Sequence, residues 1–424
     1  GGRLARLRVG ALECPAFRRY LAAQGVSLVG TWMQGAAQAW LVLQLTGSAV
    51  LLGTVSAVQS LPVLMLSLFA GAVADHVNRR RLLIVTQSAL AASATVLGLL
   101  TVSGRVRYWH VVAIAGIYGI FNTLDMPGRN TFLGDMVPRH ALASAIGLHS
   151  TIFNVARIVG PGVAGAVVAS IGSGPAFLLN ALSFVPVIGV LATMRVPRDS
   201  EQAPAPRASR LPRDPRRIGR PVVEGVRYVW DSWPIRQSLL LLGIVSLFSM
   251  NFQVLVPVYA QRALGQGASG YGLLMSSLGA GALVAAAGVA STRGAEPPPW
   301  RRSLGVVALG LALLGLAVNR SYALAVVLLG VAGWGMVSLS VSTNALVQLS
   351  SAEEMRGRVM STFTLVLVGV TPIGSLVVGD LADRFGVPAA AAVGGLAALL
   401  AWAWLRPWTV RAALSGRADT APAP

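Results

Sequence analysis

The sequence contains no lysine, a single cysteine (Cys14) and four histidines, and only 12% of its 424 residues are charged. Without lysine, the chain cannot form a Walker A phosphate loop, a Schiff base or a pyridoxal-phosphate site. One cysteine excludes a disulfide within the chain and a cysteine-rich metal site. The HExxH motif of zinc hydrolases is also missing. We therefore expect no cofactor, no metal and no enzyme activity.

The low charge accompanies a high content of hydrophobic residues, 54% of the chain, and a mean hydropathy of +0.67. Soluble domains contain about 25% charged residues, so this composition predicts a chain that crosses a lipid bilayer several times. The net charge of +19 raises nucleic acid as an alternative partner. However, the arginines lie in short segments between apolar runs and not on one amphipathic domain. This distribution favours membrane loops, and we expect no nucleic-acid partner.

A transmembrane helix needs about 20 apolar residues. The sequence contains twelve such runs, six on each side of a segment rich in proline and arginine. It predicts an all-α membrane protein with twelve transmembrane helices in two pseudo-symmetric six-helix bundles. We expect a cytoplasmic N-terminal segment (residues 1–19), an N-terminal bundle (20–194), a cytoplasmic linker (195–237), a C-terminal bundle (238–408) and a cytoplasmic tail (409–424).

The distribution of arginine predicts the orientation in the membrane. An even number of spans places both termini on one side, and nearly all arginines fall in segments on that same side. The loops on the other side hold only Arg105, Arg107, Arg262, Arg320 and Arg384. Because cytoplasmic loops are enriched in basic residues, both termini are predicted to be cytoplasmic. The preference for arginine over lysine favours a bacterial source, and hence the bacterial plasma membrane.

An internal repeat relates the two halves. The glycines Gly160, Gly165 and Gly172 recur at one constant spacing as Gly374, Gly379 and Gly386. With six spans on each side of a central linker, this repeat predicts parallel repeats about an axis along the membrane normal. Transporters built in this way bind their substrate near the midplane.

The loop after the second run carries a recognisable pattern, Gly71-Ala-Val-Ala-Asp75-His-Val-Asn78-Arg79-Arg80-Arg81. It resembles the G-x-x-x-D-x-x-x-R-[KR] signature of the major facilitator superfamily, with asparagine in place of the usual glycine. The resemblance implies a conformational latch, in which Asp75 faces the positive N-terminus of the eleventh predicted span, which begins near Val359 in the other half. The alternative is a group of solvated charges at the membrane surface.

The fifth run resembles the antiporter motif of facilitator exporters, with alanine at two glycine positions. The matching residues are Gly147, Ala156, Gly160, Pro161, Ala164 and Gly165. Small residues allow close helix packing, and proline bends a helix. The stretch from Asp125 to Pro161 is similar to the exporter branch that includes the enterobactin exporter and bacterial macrolide efflux proteins. Ordinary packing of small residues is the alternative.

Two charges, Asp125 and Arg157, fall deep inside predicted spans, where a charge costs roughly 2.5–3.5 kcal/mol at the helix centre. On adjacent antiparallel helices, their side chains lean toward each other. We therefore predict a buried pair between Asp125 and Arg157, with Arg129 as a further coupling candidate. The pair either opens when the acid is protonated or stays closed as a structural contact.

Polar side chains at helical spacing predict the lining of a substrate cavity, because lipid does not tolerate a polar stripe. The candidates are Thr31, Gln34, Gln38, Tyr118, Asn122, Asn154, Ser249, Gln253, Trp334 and Ser338.

We interpret the chain as a monomeric secondary transporter that exports a small amphiphilic molecule, such as a drug, siderophore or other secondary metabolite. No ATP-binding motif is present, so exchange for protons by alternating access is the expected energy source. Uptake or flipping of a metabolite or lysophospholipid by the same fold is the alternative. A membrane enzyme or sensor would need a catalytic constellation or an output domain, and the linker is too short and polar for one.

Overall fold

The computed structural model describes residues 10–194, 215–290 and 298–418. The side chains of residues 67–76, 130, 215–222, 289–290, 299 and 406–418 lie outside this description. Within these ranges the chain is almost entirely helical and contains no strand. The helices are α1 (Pro15–Thr46), α2 (Ala49–His76), α3 (Arg79–Val102), α4 (Tyr108–Met136), α5 (Leu142–Ile171), α6 (Ser173–Thr193), α7 (Pro215–Asp231), α8 (Trp233–Phe248), α9 (Phe252–Val258), α10 (Ala268–Ala290), α11 (Pro299–Val318), α12 (Tyr322–Ser350), α13 (Arg356–Gly369), α14 (Thr371–Arg384) and α15 (Val387–Ala418).

Eleven helical segments of the described chain are long and apolar enough to cross a membrane. The first helix, α1, has 32 residues but is not among them. Its length suffices for a crossing, whereas Gln24, Gln34 and Gln38 lower its hydropathy. The all-helical membrane class is confirmed, and the count of twelve spans stays a prediction.

Local sequence explains where several helices begin and end. Pro15 occupies the first turn of α1, where its missing N–H costs no hydrogen bond. Gly47 ends α1 with a positive φ of 62° and donates its N–H to the carbonyl of Leu43. Asn78 begins α3, because its side chain accepts a hydrogen bond from the Arg81 N–H.

The chain divides into two compact units, Gly1–Leu211 with Gly265–Ser276, and Pro212–Leu264 with Ser277–Pro424. In the first unit, α1 packs against α5 and α6, α2 against α4, and α3 against α6. The start of α10, as far as Ser276, belongs to this unit, whereas the predicted bundles assign it to the C-terminal half.

The second unit packs α11 against α12 and α15, and α8 against α15. Two of its predicted continuous spans are interrupted. One break separates α8 from α9 at residues 249–251, and the five residues Tyr259–Ala263 that follow α9 form a π-helix. The other separates α13 from α14 at Val370, two residues before Pro372. Proline explains this second break, because it has no N–H to continue the helical ladder.

Candidate functional site

A fully buried carboxylate, Asp125, forms the centre of the candidate site in the first unit. Its Oδ2 pairs with the Nη2 of Arg129, one turn later on α4. Its Oδ1 accepts hydrogen bonds from Thr86 Oγ1 and Gln87 Nε2 of α3, each at 2.8 Å. Three donors thus satisfy the oxygens of a carboxylate that is removed from water.

Other polar groups around this pair have unused hydrogen-bonding capacity. Tyr20 and Tyr118 lie within electrostatic range of both charges, and His149 lies within range of Arg129. Gln24 is 1% exposed, and neither polar atom of its amide has a partner among the described residues. Buried polar groups are normally satisfied, so these orphaned atoms favour a site that accommodates a further polar species.

The predicted pair between Asp125 and Arg157 is wrong. Arg129 sits one helical turn from the acid on the same helix and pairs with it directly. None of the ion pairs between described residues includes Arg157, and its buried Nη2 has no hydrogen-bond partner there.

The predicted cavity residues of α1 are held by hydrogen bonds within the first unit. The bonds join Thr31 Oγ1 to the Ser27 carbonyl (2.9 Å), Asn180 Nδ2 to Gln34 Oε1 (2.6 Å) and Gln38 Nε2 to Gln59 Oε1 (3.3 Å). Gln34 and Gln38 are both buried. Their amides therefore join helices, and their partners Asn180 and Gln59 were missed because the sequence does not reveal which helices are neighbours.

Three more candidates of the first unit lie nearer the surface. Tyr118 and Asn122 on α4 are half-buried. Asn154 on α5 is also half-buried, and its Nδ2 donates to the Ser150 carbonyl at 2.8 Å.

The small residues of the α5 motif differ in their surroundings. A Cβ at Gly160 would lie 2.5 Å from the Cβ of Trp32, and one at Gly165 would lie 2.8 Å from the Ala268 carbonyl oxygen. These glycines permit close backbone approach, whereas Gly147 has nothing within 4 Å of a Cβ position. The three remaining motif residues are all buried, namely Ala156, Pro161 and Ala164.

Only part of the predicted latch can be described. The side chains of Gly71 and Asp75 lie outside the described residues. Two of the three arginine side chains have partners: Arg79 pairs with Asp135 of α4 (2.9 Å), and Arg80 donates to the Leu191 and Ala192 carbonyls at the end of α6. For Arg81, the contact is made by its backbone N–H, which donates to the Asn78 side chain at the start of α3. Asp135 was not predicted as a site residue, although it lies on α4, after the candidates Asn122, Asp125 and Arg129.

The candidates of the second unit have separate environments. Ser249 Oγ donates to the Gly394 carbonyl at 2.7 Å, Gln253 is exposed and Trp334 is half-buried. Ser338 is fully buried, and its Oγ has no partner among the described residues.

Asn251, which sequence reasoning missed, organises the break between α8 and α9. Its Nδ2 donates to the carbonyls of Leu247 (2.8 Å) and Ser246 (3.2 Å), and Ser375 Oγ donates to its Oδ1 at 3.3 Å. Carbonyls released from the helical ladder are thereby satisfied.

No cluster of three or more His, Cys, Asp or Glu side chains that could hold a metal occurs in the described part of the chain.

Comparison with known proteins gives one family, described as transmembrane secretion effector, which matches residues 8–420. The multidrug efflux pump Tap of Mycolicibacterium fortuitum is 29% identical over 357 residues, covering 82% of this chain and 85% of that protein. The staphyloferrin A transporter of Staphylococcus aureus is 25% identical, with coverage of 88% and 90%. Macrolide efflux protein A of Streptococcus pyogenes is 24% identical, with coverage of 86% and 89%.

Solved structures of transporters share the fold at low sequence identity. A nucleoside transporter, NupG, aligns with a TM-score of 0.74 at 12% identity, covering 92% of this chain and 98% of that one. A POT peptide transporter aligns with a TM-score of 0.75 at 12% identity, covering 93% and 94%.

Proposed function

Because this chain belongs to the transmembrane secretion effectors of the major facilitator superfamily, we propose that it exports a small amphiphilic molecule in exchange for protons. The observation that carries this proposal is the buried carboxylate of Asp125, which three side chains of the first unit hold in place. Acids inside membrane helices are costly and mark proton pathways. Asp125 is therefore our candidate for the group that takes up and releases the coupling proton.

Protonation of Asp125 would change its bonds in a defined way. The neutral acid no longer attracts Arg129 as an ion, so the guanidinium is released from its strongest contact. The new O–H needs an acceptor, and Gln87 supplies one in its Oε1, which has no partner among the described residues. Two hydrogen-bonding states of one site can bias two conformations of the protein, as alternating access requires.

The proposed substrate class is supported by the names of the relatives, which include multidrug efflux, staphyloferrin A transport and macrolide efflux. We propose a drug-like or siderophore-like molecule as cargo, and a monomer in the bacterial plasma membrane with both termini cytoplasmic. We further propose that Asp75 acts as the conformational latch, supported by the fixed positions of Arg79 and Arg80 at the neighbouring helix ends.

The test uses inside-out vesicles that contain the full chain, with fluorescein and rhodamine 123 as transport probes. An acidic interior should drive dye uptake by the wild type. Asp125→Asn should abolish this gradient-driven uptake, roughly a hundredfold loss, and leave slow movement without a gradient. The control is Asp380→Asn, which removes an acid from an exposed pair with Arg384 and should transport normally. Unchanged driven uptake by Asp125→Asn would refute the role of this residue.

A further inference from the structure

Arg157 lies in the middle of α5. It is about 22 Å from Leu142 and about 21 Å from Ile171 along the helix axis. Val155 and Val159, which are 43% and 42% exposed, project roughly 160° away from it around the axis. These two exposed valines therefore lie on the opposite side of α5 from Arg157, and phospholipid headgroups do not reach this depth.

Among the residues that the structure describes, the guanidinium of Arg157 has no acidic partner. Its Nη2 is buried without a hydrogen-bond partner, and no ion pair among the described residues includes it. Both cation–π contacts in that part of the chain belong to Arg236. The nearest acid on the neighbouring α4, Asp125, is already paired with Arg129. Arg157 as a whole is half-buried. A partly buried cation without a partner is costly inside a membrane helix, so Arg157 is a candidate functional residue.

Along α5, exposed residues precede Arg157, and a closely packed glycine follows it. Phe153 and Ser150 lie on the same face of α5, one and two turns before Arg157 respectively, and both are exposed. The Phe153 ring meets the Trp32 ring edge-to-face, with centroids 5.7 Å apart. One turn beyond Arg157, Gly160 packs directly against the α1 backbone at Met33 and Val29. The cation therefore lies at the inner limit of an exposed face, beside an aromatic pair.

We propose that Arg157 binds an anionic group of the exported molecule, and that Trp32 and Phe153 contact its aromatic or apolar part. The cargo is then an organic anion such as an aromatic carboxylate or phenolate. Arginine suits this role because its planar fork donates two parallel hydrogen bonds to a carboxylate. This inference rests on the proposed export function and specifies the chemistry of its cargo.

The experiment measures equilibrium binding of two dyes to the purified full chain in detergent by fluorescence polarisation, with no gradient. Fluorescein and rhodamine 123 share a xanthene ring, but fluorescein is anionic and rhodamine 123 is cationic. The wild type should bind fluorescein more tightly. Arg157→Gln should weaken fluorescein binding roughly tenfold or more without weakening rhodamine 123 binding. Arg157→Lys should fall between the two, because it keeps the charge and loses the fork.

The matched control is Arg139→Gln, which removes the same charge from an exposed position and should leave both affinities unchanged. If Arg157→Gln does not fold, as judged by thermal unfolding, the comparison of wild type with Arg157→Lys decides. The proposal is overturned if the wild type binds rhodamine 123 at least as tightly as fluorescein, if it binds neither dye, or if both arginine losses act equally. Gradient-driven uptake of rhodamine 123 alone would leave the export proposal intact and refute this one.

Discussion

The first unit holds ionised side chains inside its membrane helices, whereas the second unit interrupts its helices instead. Asp125, Arg129 and Arg157 all lie in α4 and α5 of the first unit. In that unit, α4 and α5 continue through their internal prolines, Pro127 and Pro161. In the second unit, each ion pair of the described residues includes an arginine at or near a helix end, and the spans break at residues 249–251 and at Val370.

The two units therefore differ in their polar chemistry, although a pattern of glycines repeats between the two halves of the sequence. An acid that can titrate suits the binding of a proton. A fixed positive charge suits the binding of an anion. A helix break suits a change of shape, because few backbone hydrogen bonds resist bending there. Three measurements test this difference between the units. They are given in order of decreasing expected effect.

The largest effect concerns the buried charge pair. Arg129→Gln leaves the carboxylate of Asp125 without its cation, and breaking a buried pair on one side costs about 3–5 kcal/mol. Adding Asp125→Asn should recover most of this loss, because no charge remains unbalanced. Thermal or denaturant unfolding of the detergent-solubilised protein measures both. Arg262→Gln is the control from the second unit, since its pair with Asp383 is partly exposed, and it should cost at most about 1 kcal/mol. Equal losses of unfolding free energy for the two arginine substitutions would show that the two units do not differ in this respect.

A smaller effect is expected at the helix break of the second unit. Asn251→Ala leaves the carbonyls of Ser246 and Leu247 without their side-chain donor, a loss of about 1–3 kcal/mol in the free energy of unfolding. Gln348→Ala removes an amide that donates to Asn344 on an exposed surface, and should stay within about 0.5 kcal/mol of wild type. If the two substitutions have the same effect, Asn251 does not stabilise the break.

The smallest effect compares ion pairs at the helix ends of each unit. Arg79 of the first unit bonds both oxygens of Asp135, and the side chains are 28% and 20% exposed. Arg384 of the second unit pairs with Asp380, and these side chains are 70% and 44% exposed. Double-mutant cycles on unfolding should give a coupling of about 1 kcal/mol for the first pair and about 0.3–0.5 kcal/mol or less for the second. The reverse order would show that exposure does not decide these energies.

Much of the fold could be predicted from the sequence, because hydropathy alone identifies helices that cross a membrane. The burial of Asp125 also followed, since it lies in the middle of an apolar run. Its partner did not follow. The prediction paired it across helices with Arg157, but the rotation of each helix about its axis is set by packing, and Arg129 was already within reach on the same helix.

The hydrogen bond from Asn180 to Gln34 shows a second limit. A polar stripe indicates which face of α1 avoids lipid, and both a cavity and a neighbouring helix satisfy that condition. Similarly, the break at Asn251 left no clear pattern, because serine, methionine and asparagine all occur inside continuous helices. At the break, the Asn251 side chain accepts a hydrogen bond from Ser375, which is distant in the sequence and near in the fold.

The contacts of Arg80 also set an order in time. Its partners, the Leu191 and Ala192 carbonyls, lie 111 and 112 residues further along the chain. At a synthesis rate of about 5–20 residues per second, the ribosome needs roughly 6–20 s to make them after Arg80. During that interval the guanidinium has to be stabilised by water or by anionic lipid headgroups, which hold the loop on its own side of the membrane. The synthesis of α6 ends this interval, because both carbonyls are then available to Arg80.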